Sequence, residues 1–281
     1  MTDALMTDHQ SSRFLLRDWF DGLFRREPLF AGTGMFMIAL MTPTLFAMVL
    51  DNRTLLDVSV WDKPLKFQVA LAVYMLTLAW YSKWLPQPML RKSWYRIYSV
   101  VVVFCVIAEM VWLMSAAAHG IASHFNTSSA LMQSAYALAG LFAVTLLTSS
   151  AVYGVAIWRN TESSLTPALR MSLGLGLTLT FVLTVIFAGY LASGTSHFVG
   201  GNLSDAEGVP VMGWARDGGD LRVAHFFATH AMHFIPFAGL LAAITLPDRR
   251  AKAVVYIATA SFTAFVVFTF VQALMGMPFL G

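Results

Sequence analysis

Only one of the 281 residues is cysteine, and Cys105 lies in the middle of an apolar run. An intrachain disulfide and a cysteine-based metal knot are thereby excluded. Charge is almost as scarce. Asp, Glu, Lys and Arg together make up 12% of the chain, against 58% hydrophobic and 14% aromatic residues. Soluble domains carry about 25% charge, so the composition points instead to a polytopic helical membrane protein. No His-Glu-x-x-His is present, and the N-terminal region shows no signal-peptide pattern.

Long apolar runs take the place of what is missing. Seven of them, at about 29–50, 65–85, 97–118, 130–157, 169–192, 223–246 and 253–276, are long enough to cross ~30 Å of hydrocarbon as helices. A membrane barrel would show short alternating segments instead. The expected fold is therefore an all-α bundle of seven transmembrane helices. Ahead of it, residues 11–26 place Leu15, Leu16, Trp19, Phe20, Leu23 and Phe24 on one helical face and Arg13, Arg17, Asp18, Asp21 and Arg25 on the other. This reads as an amphipathic helix on the cytoplasmic leaflet within residues 1–28, with the membrane domain covering 29–281.

The basic residues orient the bundle. Thirteen of the eighteen fall on the side that holds the N-terminus, and five (Arg53, Lys63, Lys66, Arg216 and Arg222) fall on the other. The positive-inside rule then puts the N-terminus in the cytoplasm and the C-terminus outside, and the compact chain suits a bacterial inner membrane. The net charge of +3 and sequence pI of about 9.1 follow from this bias and from contact with anionic lipid, with no nucleic-acid partner needed. The expected partners are the bilayer and a lipidic or small-molecule substrate.

Histidine is distributed unevenly. Six of the seven (His119, His124, His197, His225, His230 and His233) lie at or just inside the non-cytoplasmic face. Glu109 sits inside the third apolar run, where an ionised group costs about 2.5–3.5 kcal/mol unless it is paired or neutralised. On the sixth run, setting His225 at 0° places His233 at about 80°, His230 at about 140° and Arg222 at about 60°, on one broad face. Helical rise puts Glu109 about 15 Å below His119 and His233 about 12 Å below His225, so the two are expected at similar depth. Pro236 removes a backbone donor and is expected to bend the helix beside His233. Lys66, one turn into the second run, reads as a snorkelling side chain.

Residues 193–222 form the longest connection. Seven glycines, Trp214, Arg216, Asp217, Asp220 and Arg222 in this stretch suggest a folded outer cap. The third and fifth runs also exit through matching Ser-His-Phe tripeptides, Ser123-His124-Phe125 and Ser196-His197-Phe198. That echo is compatible with a repeat, or with coincidence.

Three chemistries fit this site. In the first, His124, His197, His225 and His230 hold a divalent metal, zinc or iron, in a hydrolytic or redox membrane enzyme. Glu109 and His233 then form a buried acid–base pair beneath it, while Asp220 and Arg222 position the cap or a substrate. In the second, His119 or His124 pairs with His225 or His230 as axial ligands of haem b. The third is a proton-coupled transporter or channel working through Glu109 and His233. Ser115-x-x-x-His119 on a seven-span, N-inside chain resembles an element of the membrane hydrolases related to alkaline ceramidases and adiponectin receptors. The resemblance implies zinc hydrolysis. Their His-x-x-x-His on the last span is missing here, so their ligand set is not carried over. A retinal protein of the microbial-rhodopsin kind is excluded, because run 253–276 has no lysine.

Overall fold

A computed structural model describes residues 22–281. Most of the amphipathic segment expected within residues 1–28 lies outside the described residues. The part that is described, residues 22–26, is helical, with Leu23 buried. The architecture is all-α. Helix α1 spans Pro28–Leu50, α2 Asp62–Tyr81, α3 Ser93–His119, α4 Ala130–Arg159, α5 Pro167–Ser193, α6 Leu221–Thr229, α7 Ala231–Thr245 and α8 Asp248–Leu274. Two small antiparallel ladders decorate one end. Thr54–Leu55 (β1) pairs with Val58–Ser59 (β2), and Phe198–Val199 (β3) pairs with Gly219–Asp220 (β4).

Helix ends follow local chemistry. Pro28 and Pro167 occupy first-turn positions, where the missing N–H costs nothing. Ser129 and Thr166 cap α4 and α5 by accepting from Met132 N and Leu169 N. Gly120 ends α3 at φ 66°, with Ile121 N reaching back to the Ala116 carbonyl, a closure that suits glycine.

Five helices (α1, α3, α4, α5 and α8) are long and apolar enough to cross a membrane, and the bent pair α6–α7 supplies a sixth. By length and composition alone, five to six spans are supported. Helix α2 is 20 residues long and packs into the core through Leu71, Met75 and Leu78, yet Asp62, Lys63, Lys66 and Gln68 dilute its first half. The outward faces are apolar: Phe46, Phe104, Ile186, Ile244, Ile257 and Phe268 are all exposed. Such a belt suits lipid, not water.

Between helices that share a lipid solvent, association rests on close packing and interhelical hydrogen bonds. Small residues on α5 provide it. A Cβ on Gly176 would lie 2.7 Å from Pro236 Cδ, and one on Gly239 of α7 would lie 2.1 Å from Ser172 Oγ. Gly154 of α4 meets the Gly174 carbonyl in the same way, at 3.0 Å.

Candidate functional site

The segment between α5 and α6 folds over one end of the bundle. Its anchor is Asp220, the N-cap of α6, whose Oδ1 accepts from Arg222 N at 2.9 Å while Oδ2 accepts from Ala215 N at 3.0 Å. The Arg222 guanidinium returns the contact, with Nη2 2.6 Å from Asp220 Oδ2, and also donates to Asp205 Oδ1 and the Gly213 carbonyl, both at 2.7 Å. Asp205 N donates to the Leu56 carbonyl, tying this cap to the loop that carries β1 and β2. Gly201, at φ 66°, and Gly218 allow the two sides of the cap to touch: a Cβ on Gly218 would lie 2.6 Å from the Gly200 carbonyl oxygen. Asp220 and Arg222 thus act together in holding the cap.

His197 leaves β3 beside this node, its Nε2 3.6 Å from Asp205 Oδ1. That exceeds hydrogen-bond length, and the nitrogen is buried without a partner. Burial holds the His197 ring below the ordinary imidazole value, against the pull of the adjacent Asp205 carboxylate. For Asp205, burial pushes upward, but His197 and Arg222 outweigh it and keep the carboxyl below the usual range. His124 follows α3, with Nδ1 3.0 Å from Ser123 Oγ and its ring against Phe67 and Tyr136. Burial, reinforced by the nearby Lys63 and His225, holds it well below the ordinary value. Both imidazoles are therefore neutral near pH 7.

Deeper in the bundle the sixth candidate span breaks. Helices α6 and α7 meet at 49° around His230. The break falls six residues before Pro236, upstream of the position expected from proline alone, because two bonds from neighbouring helices satisfy the freed backbone. Pro236 cannot donate to the Met232 carbonyl, and Tyr81 Oη donates to that carbonyl instead, at 2.9 Å. Met232 N, at the start of α7, donates to Thr180 Oγ1 at 2.8 Å. Gly176 lets α5 approach this region of exposed backbone.

At the break His230 Nδ1 and His233 Nδ1 lie 3.1 Å apart, and His233 Nε2 lies 3.1 Å from Thr77 Oγ1. One ring must donate and the other accept. Two tautomeric arrangements satisfy the chain His230–His233–Thr77, and moving one proton along it interconverts them.

Glu109, 3% exposed on α3, leaves Oε2 without a hydrogen-bond partner. His225 Nδ1 is likewise buried and unpartnered. The charge facing Glu109 comes from Lys63, whose charged neighbours are Arg222, Glu109 and Asp205. Lys63 is half-buried and forms no ion pair within 4 Å among the described residues. Burying polar atoms without a partner is costly, which singles out Glu109 Oε2 and His225 Nδ1 as candidate contact points.

Among the described residues, no group of three or more His, Cys, Asp or Glu is arranged to hold a metal ion. His124 is engaged by Ser123, and His230 by His233. Glu109 and His233 also form no hydrogen bond, because His233 is engaged by His230 and Thr77. His119, the other proposed haem ligand, is exposed and bonded through Nδ1 to the Ser115 carbonyl.

Lys63, Asp205 and Thr77 were missed by spacing alone. So was a buried group at the opposite end, where Tyr95 Oη bonds Glu27 Oε2 at 2.5 Å and Tyr153 Oη at 2.8 Å. Burial raises the Glu27 carboxyl above its ordinary value, with the neighbouring hydroxyls opposing. Comparison with protein-family models, curated proteins and solved structures finds no match.

Proposed function

We propose that this chain is a seven-span membrane protein, N-terminus cytoplasmic and C-terminus outside, that couples proton movement to a solute through a chamber open to the non-cytoplasmic face. The observation that carries the reading is the broken helix with His230 and His233 paired at the break. Interrupted spans with polar groups beside the exposed backbone are a construction typical of secondary transporters. Glu109 supplies a second protonatable group without a fixed partner, and Glu27 with Tyr95 and Tyr153 supplies one at the cytoplasmic end. Counting α2 as a span follows from its 20-residue length and its place in the core. The orientation rests on the thirteen-to-five division of basic residues, and the bacterial inner membrane on the compactness of the chain alone.

The reading is tested in sealed vesicles loaded with a pH-sensitive dye, under an inside-negative potential. With a mixture of small organic and inorganic solutes supplied outside, wild-type protein is expected to admit protons. Glu109→Gln and His233→Gln are each expected to reduce the rate at least tenfold while the purified protein stays folded. Equal rates in all three would reject the reading. A metal-dependent enzyme is the second reading, favoured by the unpartnered His197 Nε2 and His225 Nδ1. Elemental analysis of purified protein decides it: near-stoichiometric zinc or iron, lost in His225→Ala, supports that reading.

A further inference from the structure

Helix α5 starts beside the end of α4 and finishes at the cap, so the end of α4 marks the opposite end of the bundle. There an open groove of about 790 Å³ runs between α4 and the segment that joins α2 to α3. Its volume falls within the ~300–1,000 Å³ of small-molecule sites. One side is a single face of α4: Val152, Val155, Ala156 and Arg159 recur at the three- and four-residue spacing that aligns side chains along a helix. Pro86, Met89 and Trp94 line it from the α2–α3 connection and the first turn of α3. Asn160, just past α4, ties the two sides together, its Nδ2 donating to the Trp84 carbonyl at 2.9 Å. Trp94 is exposed and stands edge-on to Tyr95, with ring centroids 5.8 Å apart. The lining is apolar along α4, whereas its end carries two exposed charges of opposite sign, Arg159 and Glu162. Among the described residues neither joins an ion pair within 4 Å.

We propose that this groove binds one phosphatidylethanolamine molecule of the bilayer, its phosphate on Arg159, its ammonium on Glu162 and an acyl chain along the apolar face of α4. The inference needs the helices to span a bilayer and is independent of proton coupling. Helix α4 has 30 residues and is about 45 Å long, against ~30 Å of hydrocarbon, so its last turn reaches the headgroup layer. Trp94, with an apolar ring and one polar edge, suits the same boundary. An apolar groove open on one side admits a chain laterally from the surrounding lipid. Charge then selects the headgroup. The guanidinium fork matches a phosphate bidentately, so Arg159 accepts any phospholipid. Glu162 adds the second requirement. A primary ammonium donates N–H bonds to a carboxylate, the quaternary nitrogen of choline has no hydrogen to donate, and a glycerol headgroup brings no cation.

Native mass spectrometry of the detergent-purified full chain tests the proposal, with titrations of phosphatidylethanolamine, phosphatidylglycerol and phosphatidylcholine of identical acyl chains. Wild type is expected to bind one phosphatidylethanolamine about tenfold more tightly than either competitor. Glu162→Gln is expected to lose the preference over phosphatidylglycerol while still binding phospholipid. Arg159→Gln is expected to weaken all three lipids by about tenfold. Ala156→Trp, which fills the groove, is expected to remove the single bound lipid. The first two variants change exposed side chains, so the test does not depend on how the tryptophan packs. No bound lipid, equal affinity for the three lipids in wild type, or tighter binding of either competitor would overturn the proposal. So would a preference that persists in Glu162→Gln, or affinities unchanged in Arg159→Gln.

Discussion

Asp220 caps α6 and receives the Arg222 guanidinium, so removing its carboxylate strips a helix N-terminus and takes one of two carboxylates from a half-buried cation. Asp220→Ala is expected to cost about 3–5 kcal/mol. Asp205→Ala, which leaves Arg222 with Asp220 and the Gly213 carbonyl, is expected to cost about 1–3 kcal/mol. Thermal unfolding followed through Trp214, buried in the cap, measures both. The histidines of this region give a pH signature. His124 and His197 are held below the ordinary imidazole value of about 6.5. The unfolded chain therefore gains protons first as pH falls through 6.5, and the stability these groups contribute, complete above that pH, is lost below it. The melting temperature is expected to fall between pH 7 and 5, less steeply in His124→Gln/His197→Asn. Asp205, held low, loses its contribution only below about pH 4.

The break between α6 and α7 is built jointly by α2, α5 and Pro236. Tyr81→Phe leaves the Met232 carbonyl unbonded and is expected to cost about 1–3 kcal/mol. In a Pro236→Ala background the alanine N–H can reach that carbonyl, so the same change is expected to cost markedly less. A double-mutant cycle of unfolding measurements checks this, and additive costs would mean that Tyr81 does not replace the missing donor. Element class was legible in the sequence because uncharged runs of membrane length leave few alternatives. The interruption was less so. Pro236 announces a bend, but its location depends on Thr180 and Tyr81, which approach from other helices. For the same reason Glu109, His230 and His233 stand out as ionisable groups in apolar runs, whereas Lys63 does not. At the start of a helix, between Asp62 and Lys66, it reads as an interfacial residue. Only the placement of α3, α6 and the cap turns it inward towards Glu109 and Arg222.

At the scale of the molecule, an apolar perimeter surrounds a polar interior concentrated towards the cap, with the Glu27–Tyr95–Tyr153 group at the other end. Charge bias orients such a body, but the sequence alone does not reveal which histidines converge. His124, His197, His225 and His230 read as one site from their shared side of the membrane, whereas the fold gives His124 Ser123, His197 the nearby Asp205, His230 His233 and His225 Nδ1 no partner. The central claim is proton coupling through Glu109. Its most direct test is the initial rate of proton entry into sealed vesicles, with the same solutes supplied outside, as a function of external pH and with wild type beside Glu109→Gln. The account predicts a wild-type rate that saturates with acidity and a variant that stays at the level of protein-free vesicles. Identical pH–rate curves for the two proteins would contradict it.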